Sequence, residues 1–301
     1  MKKTIDQNTQ FNWMKFRPFY FGLSLFVIAV GVFSILKWQF VLGIDFAGGT
    51  NIEYKFAKEV TPDAIKNALH EKKIEINSIV QSPNNIFDLK LGQIDETQKE
   101  NIGEAMSKLG GEGSALLSFE QVGPSLSREL LQKTFYAILI SALAILLWIA
   151  YQFKSLKFGL SATIATFHDA FVVIGLFALF GHFFGAEVDY LFVTALLTIL
   201  SFSVHDTIVV YDRIREIRRK HGGSVSEVAN RALSETMRRS FFNSLTIIIM
   251  LVCLAAFGGN TIRWFAVALL VGTISGTYSS PFVAVPVLVT WEHLEKKFKK
   301  K

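Results

Sequence analysis

The chain has 301 residues, of which 51% are hydrophobic and 19% charged, with a formal net charge of +6 at pH 7. That hydrophobic share excludes an ordinary water-soluble domain and points to several membrane spans. A lone cysteine, Cys253, excludes an intramolecular disulfide, and the positive charge has to be judged by its placement.

Six stretches can cross about 30 Å of hydrocarbon at about 1.5 Å per residue. The first, 19–40, follows a basic segment (1–18) containing Lys2, Lys3, Lys15 and Arg17. Its apolar core is too long for a signal peptide and no small-residue cleavage site follows, so it reads as an uncleaved anchor. Residues 41–133 are mixed and water-compatible. Further spans are predicted over 134–151, 158–180, 190–211, 241–257 and 264–290, with a basic stretch at 212–240 and a basic tail at 291–301. Lysine and arginine number four in 1–18, two in 152–157, eight in 212–240 and five in 292–301, against none in 181–189 and only Arg263 in 258–263. The positive-inside rule therefore puts both termini in the cytoplasm and 41–133 outside it. Charge placed this way orients a membrane protein and gives no reason to expect nucleic acid.

Within 41–133 the pattern predicts strand 50–56, helix 61–71 behind a Thr61-Pro62-Asp63 cap, strands 74–81 and 86–91 around Ser82-Pro83-Asn84-Asn85, helix 96–109 and strand 115–122. This βαββαβ order is the split ferredoxin-like motif. The expected fold class is a polytopic α-helical membrane protein with six transmembrane helices and one small extracytoplasmic α+β domain. That domain has no cysteine, one histidine (His70) and no glycine-rich phosphate loop, so nothing in it resembles a catalytic constellation. A sheet edge that adds an extended peptide and a purely structural cap both fit it.

In 212–240, Gly222-Gly223 breaks the chain and Ser224 with Glu227 fits a capping box. Val225, Val228, Ala229, Ala232 and Leu233 then recur at helical spacing. A short amphipathic helix near the membrane surface is expected, its arginines meeting anionic lipid or a partner, or simply fixing orientation.

Polar residues inside the spans carry the functional signal. His205 and Asp206 interrupt the apolar run 191–211 far from its ends, where a charge costs about 2.5–3.5 kcal/mol on the lenient insertion scale. His168 and Asp169 lie about 15 Å up the third span, and Phe167–Val173 parallels Val204–Val210. Two such pairs on oppositely directed helices can load and release protons near neutral pH, so the proton is the expected coupling ion and no cofactor or metal is expected. A buried ion pair that only holds helices together is the alternative.

Thr194, Thr198, Ser201 and His205 share one stripe of the fourth span, with Asp206 turned about 100° from it. Arg213, two turns beyond Asp206, and Arg239, opening the fifth span, are candidates for its counter-charge, although Arg238 and Arg239 also suit snorkelling ends. In the sixth span Gly272 and Gly276 make a G-x-x-x-G spacing, followed by Thr277, Ser279, Ser280, Pro281 and Pro286, which allows close helix contact and a kink.

One set of motifs is shared with a known family. It comprises Gly43-Ile44-Asp45-Phe46-Ala47-Gly48-Gly49-Thr50 after the first span, Val122-Gly123-Pro124 before the second, and Phe158-Gly159-Leu160-Ser161 with Ala165-Thr166 and His168-Asp169. Asp206 to Val210 then runs into Asp212-Arg213-Ile214-Arg215-Glu216, Arg239-Ser240 accompanies Asn243-Ser244-Leu245-Thr246, and Gly276-Thr277-Tyr278-Ser279-Ser280 completes the set. Over nearly its whole length the chain resembles the SecF family of protein-export membrane proteins.

The resemblance implies a subunit of the bacterial Sec machinery in the cytoplasmic (inner) membrane, related to the RND transporters and not an enzyme. With a separate SecD chain it would use the proton-motive force to promote preprotein translocation through the SecYEG channel, after the SecA ATPase has begun it. YajC, YidC and membrane lipid are the further partners implied. The resemblance also makes Asp206 the proton-linked aspartate and Arg239 the arginine opening the fifth span. Where the family usually has asparagine before that aspartate, this chain has His205, a titratable neighbour that would change the pH of loading or add a relay step. Two alternatives stand beside this reading. One is a proton-coupled RND-type exporter of a small molecule or lipid, whose outer domains commonly exceed the roughly 90 residues available here. The other is a scaffold that only holds SecD.

Overall fold

The computed structural model describes residues 11–298; Lys2, Lys3 and Lys299 to Lys301, which the charge count includes, lie outside them. The chain divides into two compact units, a helical bundle (residues to 41, 136–187 and 191 onward) and a small α+β unit (42–135 with 188–190).

In chain order, a 3-10 turn (Trp13–Phe16) leads into α1 (Arg17–Trp38), and a single helical turn α2 (Ile44–Ala47) precedes β1 (Gly49–Lys55). Next come α3 (Pro62–Glu71), β2 (Ile76–Ser82), β3 (Ile86–Leu91), α4 (Glu96–Gly110) and β4 (Ala115–Val122). The rest is helical: α5 (Pro124–Phe153), α6 (Leu156–Phe184), α7 (Tyr190–His221), α8 (Val225–Phe257), α9 (Asn260–Ser279), a π-helical turn (Ser280–Ala284) and α10 (Val285–Phe298). Among the described residues, six helical paths are long and apolar enough to cross a membrane, the sixth running through α9, the π turn and α10.

Burial sorts these paths. More than half of the apolar window is buried in α6 (61%), α7 (56%) and the sixth path (56%), against 11% in α5 and in α8, so the first three form the middle of the bundle. Glycine lets them close up. A Cβ on Gly175 of α6 would stand 2.4 Å from the Cα of Gly31 on α1, so these two backbones touch. A Cβ on Gly272 would meet the Ile199 side chain at 2.3 Å, and Gly276 packs against Ser203, which accounts for the G-x-x-x-G spacing.

In the small unit the sheet order is β2-β3-β1-β4, with every pair antiparallel. This is the βαββαβ arrangement the alternation predicts. Ile52, Tyr54, Phe87 and Leu89 point inward from the strands onto Ile65 and Leu69 of α3 and Ile102 and Met106 of α4. Thr61 caps α3 by accepting from the Ala64 amide at 3.3 Å, and Asp95 with Gln98 forms a capping box on α4.

The Gly43–Thr50 motif is a backbone device. Gly48 (φ +76°) and Gly49 (φ +128°) adopt conformations that L side chains avoid, and a Cβ on Gly49 would lie 2.7 Å from the Leu91 carbonyl oxygen. The Gly43 amide donates to the Val188 carbonyl at 2.9 Å and Asp45 Oδ2 accepts from the Tyr190 amide at 2.9 Å, which holds segment 188–190 to this unit. After β4, the Gly123 carbonyl accepts from the Ser127 amide as Pro124 opens α5.

Helices overrun the predicted spans. α5 starts at Pro124, ten residues before the apolar run, and 212–240 is not a loop carrying a separate helix. Instead α7 continues to His221, and α8 runs unbroken from Val225 to Phe257. The link between them is Gly222 (φ +66°), Gly223 (φ +104°) and Ser224, whose side chain forms the expected capping box with Glu227. Arginine, lysine and glutamate end an apolar run without ending a helix, because they are good helix formers. Nor does the apolar face of Val225–Leu233 lie on a membrane surface: it is buried in the bundle's main cluster with Met14, Ile214, Ile217 and Val285. The 3-10 turn ties down α8 beside that face, Trp13 Nε1 donating to Ser234 at 3.0 Å and the Met14 amide to Asn230 Oδ1 at 2.9 Å.

Candidate functional site

Three helical paths converge on a column of hydroxyls that begins at Asp169. Ser203, Thr207 and Tyr211 fall on one face of α7 at four-residue spacing, turned toward α6 and the sixth path. Asp169 is fully buried. Its Oδ2 accepts from Ser203 of α7 at 2.6 Å and from Ser279 of α9 at 2.5 Å, and its Oδ1 accepts from Ser275 at 2.6 Å. His168 Nδ1 lies 3.1 Å from the same Oδ1. Further along, Thr207 and Ser280 hydroxyls are 2.9 Å apart, and Ser280 reaches the Ser203 carbonyl at 3.4 Å. Then Tyr211 meets Ser161 at 2.7 Å and donates to the Ala284 carbonyl of the π turn at 3.2 Å.

Asp206, on the same side of α7, is held differently. Its side chain is 3% exposed, yet Oδ2 has no hydrogen-bond partner among the described residues. Ser244 of α8 neighbours it without reaching full hydrogen-bond geometry. Asp206 sits in the wall of a cavity of about 280 Å³ whose lining is otherwise mostly apolar, with Thr236 and Ser240 from α8, Thr277 and Tyr278 from α9, and Ser280 from the π turn.

The two His-Asp pairs are therefore not equivalent. His168 is buried beside its aspartate, whereas His205 is exposed, together with Thr194, Thr198 and Ser201 of its stripe. The expected counter-charges are not brought to Asp206. Arg213 is taken up by Glu216 and Glu235 and is thereby excluded as its partner in this conformation. Arg239 is exposed, next in the chain to Ser240 of the cavity wall, while Arg238 stacks over Phe242 at 5.9 Å. Among the described residues no group of three or more His, Cys, Asp or Glu side chains is placed to hold a metal ion.

Ser203, Tyr211 and Ser275 are site residues that hydropathy and motif spacing do not single out, whereas Ser161 and Thr207 stand in the shared motifs without a role being assigned to them. The 203-207-211 spacing is the available signal, but the competing stripe 194-198-201-205 has the same period, and periodicity does not say which stripe faces inward. In the small unit, Asp88 and Glu53 face each other across β3 and β1. Burial pushes the Asp88 carboxyl above the usual range, against the opposing pull of Lys90; burial also raises Glu53, helped by Asp88 and Glu120.

Fold and site together define a polytopic α-helical membrane protein with carboxylates buried among its helices and a separate ferredoxin-like unit. Residues 102–294 match the family described as protein export membrane protein SecD/SecF, C-terminal, and residues 33–60 match the SecD/SecF GG motif, which contains the Gly48-Gly49 turn. Among similar proteins, the protein translocase subunit SecF of Thermobaculum terrenum is 39% identical, with 93% of each chain covered. The protein translocase subunit SecDF of Bacillus subtilis is 28% identical over 97% of this chain and 40% of its own. A solved structure, SecDF from Thermus thermophilus, described as a translocon-associated membrane protein, superposes with a TM-score of 0.82 at 30% identity. It covers 95% of this chain, which spans 39% of that longer one. The chain belongs to the SecD/SecF family of protein-export membrane proteins.

Proposed function

We propose that this chain is a SecF-type subunit of the Sec translocation machinery that couples the proton-motive force to preprotein movement. Family membership and a relative named SecF that is matched over 93% of each chain support the subunit reading. SecDF chains, of which it matches two-fifths, support a SecD partner. SecYEG, the SecA-driven translocase, the preprotein itself, YajC, YidC and membrane lipid enter as partners of that machinery. The lysine and arginine asymmetry supports a cytoplasmic-membrane protein with both termini inside and residues 41–133 outside.

The observation that carries the proton reading is Asp206, a buried carboxylate with an unfilled oxygen at a cavity wall. A proton added there removes an uncompensated charge from a low-dielectric site, and its loss restores that charge. Arg239, exposed beside the cavity, is the cation that answers the charged form after a rearrangement of α8. One proton crossing 100 mV releases about 2.3 kcal/mol, comparable with the gap between conformers of a two-state switch.

The test is preprotein maturation in cells depleted of their own SecF and supplied with this chain or its Asp206→Asn variant at matched membrane levels. Export is expected to collapse while the protein and its SecD complex accumulate normally. Unchanged export would defeat the proton reading and favour a scaffold.

A further inference from the structure

Every acceptor position used on Asp169 is filled by a donor from another group. Ser203, Ser275 and Ser279 donate to its two oxygens, and His168 Nδ1 stands at 3.1 Å. With Nδ1–H directed at the carboxylate, the remaining imidazole nitrogen is a bare acceptor. That nitrogen, His168 Nε2, is buried and has no hydrogen-bond partner among the described residues, in a side chain only 6% exposed. It is the one open valence of the cluster. A proton arriving at Asp169 would have to displace a serine hydroxyl, whereas a proton arriving at Nε2 displaces nothing.

We infer that His168 is a second proton-binding group of the bundle, loaded at Nε2, with Asp169 as its fixed counter-ion. The step conserves atoms: the Nε2 lone pair takes a proton from solvent when the cluster opens to it, and the imidazolium returns that proton to solvent on discharge. Three hydroxyls from α7 and α9 hold the carboxylate in place, so the charge created on the ring meets a pre-organised anion instead of apolar side chains. Tyr278 of α9 lies against the imidazole with its ring 6.2 Å away and its hydroxyl donating to the Tyr20 carbonyl of α1; on α7, Asp206 and Tyr211 are buried and His205 is exposed. Lys157 of α6 pairs with Glu295 of α10 at the basic end. Among the described residues, the charge at hydrogen-bond distance from the imidazole is that of Asp169 alone.

This site differs from Asp206 in its mechanics. Loading Asp206 fills an orphaned oxygen beside a cavity. Loading His168 instead turns a net-anionic cluster that ties α6, α7 and α9 together into a neutral ion pair, immediately before the π turn. The inference rests on the proton-coupled reading proposed above, but its test does not depend on export.

The full chain, labelled with ¹⁵N at its six histidines and placed in lipid nanodiscs, is titrated while the imidazole nitrogens are observed by NMR. His168→Gln identifies the resonance. The expected result is that this imidazole gains a second proton on acidification, and that Asp169→Asn, which removes the counter-ion, alters that step. A His168 signal that keeps one protonation state across about pH 5–8, or a titration unmoved by Asp169→Asn, overturns the inference. If His168→Gln fails to accumulate, His168→Asn serves in its place. Loss of export in Asp206→Asn with no His168 titration would leave the proposed function standing and remove this site alone.

Discussion

An aspartate buried with an unfilled oxygen weakens the fold that contains it, because the desolvation of that oxygen is not offset by a hydrogen bond; leaving such a group unpaired costs about 1–3 kcal/mol, more when charged. Asp206 is in this position and Asp169, with its three serine donors, is not. Asp206→Asn should therefore unfold at the same or a higher temperature than the parent protein while losing export, whereas Asp169→Ala, which strands three hydroxyls, should lower the unfolding temperature. Thermal unfolding in detergent, followed by tryptophan fluorescence, separates the two. A pronounced destabilisation by Asp206→Asn would mean that its charge holds the bundle together.

In the small unit the sign is set by Asp88 and Glu53. A carboxyl raised in the folded state contributes stability that is fully present below its ordinary value, 3.8 for Asp88, and that is lost as the pH climbs through the raised one. Mild acid should thus strengthen this unit relative to neutral pH, and Asp88→Asn should raise its resistance at pH 7 and flatten the dependence. Pulse proteolysis in urea at several pH values measures this; unchanged pH dependence in Asp88→Asn would contradict it.

Among the elements, the glycines of the bundle make graded predictions. At Gly175 an added methyl meets the backbone of Gly31, which cannot yield without parting α1 from α6. At Gly272 it meets the side chain of Ile199, which can repack, and at Gly22 it meets nothing within 4 Å. Gly175→Ala should cost roughly 1–3 kcal/mol, the usual range for overpacking, Gly272→Ala less, and Gly22→Ala close to nothing. The order of their unfolding temperatures is the readout, and equal values for Gly175→Ala and Gly22→Ala would show that α1 and α6 are not in contact.

The same elements show how far the residues alone could lead. Membrane helices and the βαββαβ unit were legible because an apolar run of about 20 residues and a two-residue alternation arise from few competing structures. Helix ends were not, since the continuation of α7 to His221 and the start of α8 at Val225 depend on the helix propensity of charged residues after hydropathy has dropped. Asp206 was legible as a charge in the wrong solvent. The cradle of Asp169 was not, because serine in a membrane helix is common and only three-dimensional convergence of α6, α7 and α9 distinguishes Ser203, Ser275 and Ser279 from ordinary packing. The π turn at Ser280–Ala284 had a trace in Pro281, which signals a disturbed ladder without saying of which kind.

For the whole molecule, the polar stripe of α7 is exposed although partly satisfied within its own helix, the Thr198 hydroxyl donating to the Thr194 carbonyl at 2.8 Å. Thr194, Thr198, Ser201 and His205 face outward from a helix whose neighbours in a membrane would otherwise be lipid tails. With SecD as the proposed partner, this stripe is the face on which we expect it to pack. Cysteine at Thr198 should cross-link to a cysteine-bearing SecD in membranes, while cysteine at Phe257, also exposed but beyond the polar stripe, serves as the control. Cross-linking from Phe257 in preference to Thr198 would move the partner to a different side of the bundle.

The π turn has a consequence for what can be transmitted through the sixth path. Such a turn holds one residue more than an α-helical turn, so its conversion to α geometry would rotate everything after it by about 100° and shift it by about 1.5 Å. Beyond the turn lies α10, whose Glu292 is bonded to Arg218 at 2.8 Å and whose Glu295 is paired with Lys157. A change of winding deep in the bundle would thus be reported at the basic rim as an exchange of ionic partners, much as the pitch of a screw converts a turn at one end into an advance at the other.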